Sequence, residues 1–143
     1  MRLVLPPRFP GAPAHVALAE LMRFPLVMQD EASAAGRLVL QWLRSEAAAP
    51  QNAVYANSFA ALGGMTVAGL GIGCLPYAVA RELVERGLVR EIKTTPKTPR
   101  MRYVTIMRSG QGTPFLARVA RLAADVCDYN LRYQEAGEAP CSR

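Results

Sequence analysis

An α/β domain with a mainly parallel sheet flanked by helices is what this sequence predicts, on three observations. Short apolar runs alternate with stretches of helical spacing along the 143 residues, the pattern of strands linked by crossover helices. Proline or glycine marks most of the junctions between them. Hydrophobic residues make up 51% of the chain, enough for a packed core and too many for a disordered segment. The length suits one ordinary domain, read here as residues 1–133 followed by a frayed tail at 134–143.

The elements follow in order. Residues 2–5 read as a strand stopped by Pro6 and Pro7, and the Pro- and Gly-rich stretch up to Ala14 as an exposed loop. Residues 16–22 read as a short helix and 24–28 as a second buried strand. Ser33 is a candidate cap for the next helix, in which Ala35, Leu38, Val39 and Trp42 share one apolar face. Residues 52–56 form a third strand with β-branched Val54 and aromatic Tyr55. The helix at 77–86 turns Val79, Ala80, Leu83 and Val84 inward. On its outer face Arg81 and Glu85, and Glu82 and Arg86, stand four apart with opposite charge. Gly87 closes it. A strand at 88–92, a turn at 94–99 and an alternating strand at 102–108 come next. A final helix opens at Pro114, runs from Phe115 to about Arg132, and shows Leu116, Val119, Ala120, Ala123, Val126 and Cys127 on one face.

The chain is organised around residues 57–76, NSFAALGGMTVAGLGIGCLP. Asn57 and Ser58 are each able to cap a helix start. Phe59, Leu62, Met65 and Thr66 mark a helix of otherwise small residues. A glycine turn, a short apolar strand at 72–75 and Pro76 follow. A helix N-terminus beside the carboxyl ends of parallel strands is where open α/β sheets bind small ligands, and its free N–H groups suit a carboxylate or another anion. This stretch is therefore expected to form one wall of a binding cleft.

Composition removes several function classes. No apolar run reaches the ~18 residues of a membrane helix, and the N-terminus lacks the core and cleavage site of a secretory signal, so the expected location is cytoplasmic. Cys74, Cys127 and Cys141 have no metal-binding spacing; the first two read as packed thiols and the third as a tail thiol. No cofactor is expected. GLGIG at 69–73 does not follow the dinucleotide-binding order of strand, glycines, helix: here the helix precedes the glycines, and Cys74 holds the sixth position. His15, the single histidine, has no nucleophile or carboxylate near it in sequence. Asp30 and Glu31 read as solvated loop charges, and no catalytic set assembles. The net charge of +6 implies some affinity for anions, with one loose basic group at Lys93, Lys97, Arg100 and Arg102.

The runs VALAEL, FPLVMQDEASAAGRLVLQWL and VYANSFAALGGMTVAGLGIGCLPYAVARELVERGLVREI resemble, in that order, the effector-binding domain of LysR-type transcriptional regulators. RYVTIMRS and the last helix match the end of the same domain, so the likeness covers the chain to about Tyr129. It implies a periplasmic-binding-protein-like (type 2) fold of two α/β subdomains around an effector cleft. Against that pattern the winged helix-turn-helix and most of the first subdomain have no counterpart here. Residues 2–5 and 103–108 resemble the two crossover strands. The resemblance places Asn57, Ser58 and Phe59 against the effector, Gln29 and Asp30 on the bordering loop, and Gly71, Ile72 and Gly73 near the floor. It implies a non-enzymatic module that senses a small effector, anionic on the helix-start argument. DNA would be reached only through a helix-turn-helix domain outside this sequence; DNA affinity of the chain itself should be weak and lost in salt. Self-association through the apolar face of the last helix is expected. A solute-binding protein of the same fold and a small α/β enzyme are the alternatives.

Overall fold

β1 (Arg2–Leu5) lies inside the sheet and alternates its side chains between two cores. Leu3 and Leu5 point to one face and Val4 to the other, all buried. The computed structural model describes residues 1–9, 15–106 and 114–127. The chain divides into two units, Met1–Met101 and Arg102–Arg143.

The first unit is built on a six-stranded sheet of order β2-β6-β1-β5-β3-β4. The strands are β1, β2 (His15–Ala17), β3 (Leu26–Met28), β4 (Ala53–Tyr55), β5 (Ile72–Leu75) and β6 (Arg90–Thr95). The helices are α1 (Leu18–Leu21), α2 (Ala34–Ser45), α3 (Phe59–Val67) and α4 (Tyr77–Glu85). β3 pairs in parallel with β4 and β5, and β2 with β6, whereas β1 is antiparallel to both of its neighbours. The sheet is thus mixed, parallel in three of its five pairings.

Two cores follow from the alternation of the strands. On one face Leu3, Leu5, Leu26, Met28, Ile72 and Ile92 meet Leu18 and Leu21 of α1 and Val39, Trp42 and Leu43 of α2. On the other, Val4, Val27 and Leu75 meet Leu62 of α3 and Ala80 of α4. Trp42 is a core residue as its spacing predicts, although its indole N–H has no partner among the described residues. On α2 Leu43 is buried and Leu38 only half-buried.

Several expectations are corrected. The helix expected at 16–22 is one helical turn preceded by a strand: Val16 is buried while His15 and Ala17 are exposed, the period of a strand pairing with β6. Leu88 belongs to the closure of α4, since its N–H reaches the Leu83 carbonyl. The strand therefore starts later than expected and continues through Thr94 and Thr95, where Ala17 pairs with it. Val84 is 38% exposed rather than inward; Leu83 instead packs toward Gly63 of α3.

In the second unit, residues 102–106 form no strand, and Val104 and Ile106 are exposed. Alternation makes a strand only where another backbone edge pairs with it, and no ladder partner is present among the described residues. Met107, Arg108 and the loop at 109–113 lie outside the described residues. α5 (Pro114–Val126) begins at the expected proline. Residues 128–132 of the expected helix, the tail at 134–143 and Cys141 lie outside the description. Cys127 is exposed rather than packed.

Candidate functional site

Parallel pairing brings the loops after β3 and β4 together. Met28 is in register with Tyr55, and the Ala56 N–H donates to the Met28 carbonyl at 3.2 Å. One residue further on, Gln29 Nε2 donates to the Asn57 carbonyl oxygen at 3.1 Å. Gln29, Asp30, Asn57 and Ser58 thus meet at the carboxyl edge of the sheet, where α3 begins. Asn57 and Ser58 are exposed, and Phe59 is half-buried against the second core.

The two helix starts on these loops differ. At α2, Ser33 is the cap and its hydroxyl accepts from the Gly36 N–H at 2.8 Å. Asp30 completes that turn: its carboxylate accepts from the Ala32 N–H at 3.0 Å, and its carbonyl accepts from the Ser33 N–H and hydroxyl. At α3 the cap residue is Ser58, with extended backbone, and its side chain makes no capping hydrogen bond. Asn57, one residue earlier, is not the cap. The expectation that either residue caps α3 by its side chain is corrected accordingly. The first bond of α3 runs from the Leu62 N–H to the Ser58 carbonyl, so the N–H groups of Phe59, Ala60 and Ala61 have no helical acceptor.

Gly71, Ile72 and Gly73 stand elsewhere. Ile72 is in register with Leu26, at the start of the parallel strands, and its N–H donates to the Pro25 carbonyl at 2.8 Å. This is the edge opposite to Asn57, and all three residues are buried. Their glycines serve packing: a Cβ at Gly71 would meet the Pro25 carbonyl, and one at Gly73 would meet the Thr66 side chain. Thr66 is itself buried, its hydroxyl donating to the Leu62 carbonyl at 2.7 Å. The structure therefore groups Gln29, Asp30, Asn57, Ser58 and Phe59 and separates the glycine turn from them.

Pro76 starts α4 as its place after a short apolar strand predicts, and it caps the helix without a side-chain hydrogen bond. β5 continues past the level of Val27, so this helix start emerges beside Gln29. Sequence reasoning missed Gly36. A Cβ there would strike the Asp30 carbonyl, so the close seat of α2 on this loop requires glycine. A glycine inside a helical pattern is the cue for such an approach.

Elsewhere, burial raises the Cys74 thiol from 9.0 to about 12, which keeps it protonated and unreactive. Among the described residues no three His, Cys, Asp or Glu side chains gather as metal ligands, and no helix is long and apolar enough to cross a membrane.

Comparison with known proteins matches residues 1–128 to the LysR substrate binding domain. Among solved structures, the regulatory domain of MetR, a LysR family regulator from N. meningitidis, superposes with a TM-score of 0.55 at 18% identity, over 66% of this chain and 44% of that one. The apo regulatory domain of HypT from Salmonella typhimurium superposes with a TM-score of 0.54 at 19% identity, over 87% of this chain and 60% of that one. At these identities the likeness is one of fold. The chain spans about half the length of the regulatory domains it matches. No curated protein sequence matches it.

Proposed function

The chain belongs to the LysR substrate binding domain family, and we propose that it is the effector-sensing module of a LysR-type transcriptional regulator, taking a small anionic metabolite at the carboxyl edge of its sheet. One observation carries the reading: α3 starts without a side-chain cap beside the Gln29–Asn57 hydrogen bond. The free donors of Phe59, Ala60 and Ala61 would receive a carboxylate or similar group. Asn57 and Ser58 would contact it from their exposed positions, with Gln29 and Asp30 on the facing loop. Gly71, Ile72 and Gly73 would act from behind, by letting β5 and α3 close on the core.

In this role the effector would bias the arrangement of a larger regulator. DNA would be read by a helix-turn-helix domain of that protein, in the cytoplasm. Homo-oligomerisation would use α5, whose Phe115, Leu116, Val119, Leu122 and Val126 are exposed.

A thermal-shift panel of small mono- and dicarboxylates, each with its neutral amide, tests the site. A carboxylate at 100 times its Kd should add about 2.7 kcal/mol of stability, and its amide far less. Asn57→Ala should weaken that carboxylate about tenfold, roughly 1.4 kcal/mol, and leave the ligand-free melting temperature unchanged. Unchanged affinity in Asn57→Ala sinks the site assignment, and a panel in which only neutral compounds bind sinks the anionic class.

A further inference from the structure

α5 carries a pattern that fits a second copy of itself. Phe115, Val119, Leu122 and Val126 follow one another at intervals of four, three and four residues. That spacing keeps a stripe on one face of a helix and seats it between the side chains of a facing helix. All four are exposed, and at 3.6 residues per turn they lie within about 60° of one another. The same geometry puts Arg118 and Asp125 along one side of the stripe and Leu116 and Ala123 along the other. One flank is thus charged, with opposite signs two turns apart, and the other is apolar. Arg118 and Asp125 are exposed, and among the described residues neither makes an ion pair, although Arg121 stands four residues before Asp125.

The flanks decide the orientation. Two such helices packed in parallel set the charged flank of one against the apolar flank of the other, and neither charge gains a partner. Packed antiparallel, each flank meets its own kind. With Phe115 set against Val126 of the second copy, and Val119 against Leu122, the stripe interdigitates over its whole length. In that register Arg118 lies about 3 Å along the helix axis from the level of Asp125 of the second copy, within reach of an ion pair. Two-fold symmetry makes that pair twice, and Leu116 meets Ala123 on the other side.

We propose that α5 joins two copies of this chain as an antiparallel helix pair, with Phe115, Val119, Leu122 and Val126 in the seam and Arg118 bonded to Asp125 of the second copy. This rests on the reading that α5 carries homo-oligomerisation, and it adds the orientation and the register. The order of the charges selects a second copy as the occupant. A two-fold interface requires each surface to answer itself, and a cation before the centre of the stripe with a carboxylate after it does so. The seam is short, since α5 has 13 residues and is about 20 Å long, so the dimer is weak and exchanges with monomer.

Sedimentation equilibrium of the full chain from about 1 to 100 μM tests this by reading the dimer dissociation constant. Arg118→Glu sets carboxylate against carboxylate at both pairs, and Asp125→Arg sets guanidinium against guanidinium. Each change should raise the constant about tenfold. Mixed in equal amounts, the two variants complement each other at both pairs and should associate within about twofold of the parent. Each variant should keep the helix content of the parent in circular dichroism, which separates a lost contact from a lost helix. The proposal is overturned if the mixture associates no better than its components. It is also overturned if neither reversal weakens a dimer that Val119→Asp with Leu122→Asp abolishes; α5 then still joins the copies, in another arrangement. A parent chain that stays monomeric throughout overturns both this pairing and the homo-oligomer reading beneath it.

Discussion

Two serines in equivalent places show how much one hydroxyl decides. Ser33 and Ser58 are the cap residues of α2 and α3, yet only Ser33 accepts a first-turn N–H. Ser33→Ala should lower stability by about 1 kcal/mol, and Ser58→Ala by no more than a few tenths; urea midpoints with equal m-values would show the contrast. Equal losses would mean that Ser58 caps α3 in solution and that its donors are not free for an effector. Cys74 gives a second test at this scale. Its folded thiol is raised to about 12, so the unfolded chain loses that proton first as pH rises. Its contribution is complete below about pH 9 and declines toward pH 12, at no more than about 1.4 kcal/mol per pH unit. The difference between the parent and Cys74→Ala in urea midpoint against pH should show that slope. The burial of Cys74 was legible, because an apolar run bounded by glycine and proline reads as an inner strand. The idle Ser58 hydroxyl was not, because residue type shows that a cap is possible and only the backbone and rotamer show whether it is made.

Helices α2, α3 and α4 all end in the same hydrogen-bond pattern, and the residue at the turn differs. α3 turns at Gly69 and α4 at Gly87, both with positive φ. The N–H groups that follow reach back to Thr66 and Met65, and to Val84 and Leu83. α2 makes the same bonds, from Ala47 to Arg44 and from Ala48 to Leu43, but turns at Ala47 with φ 50. A side chain in that left-handed region costs about 1–2 kcal/mol, and glycine gives back part of the gain through the freedom of its unfolded state. Ala47→Gly should therefore raise stability by up to about 1 kcal/mol, read as a higher urea midpoint; a fall would show that the Ala47 methyl holds the turn. The elements with local signals were legible: α2 from Ser33 and its apolar face, α4 from Pro76, its charge pairs and Gly87, and β5 from its short apolar run. β2 and the extension of β6 were not, because three residues such as His15–Ala17 become a strand only when Lys93–Thr95 lies beside them.

At the scale of the whole molecule, the open question is what the exposed apolar residues of α5 do. Phe115 is 71% exposed and Leu122 61%, more than a scatter of single apolar residues would need explaining. If α5 supports self-association as proposed, sedimentation velocity at micromolar concentration should show a species larger than a monomer. Val119→Asp with Leu122→Asp should then shift it toward monomer without lowering the melting temperature of Met1–Met101. A monodisperse monomer in the parent chain would end that reading. The sequence alone determined the α/β class, the alternation of strands and helices, the core faces of α2 and β5, and the family, because each is written in local spacing and residue type. Tertiary structure alone decided that β1 runs antiparallel between β5 and β6, that Gln29 meets Asn57 at one edge, and that the glycine turn at 71–73 lies at the other. Those outcomes depend on which backbone edges pair across dozens of residues, and hydrogen bonding between distant strands leaves no mark on either strand read by itself.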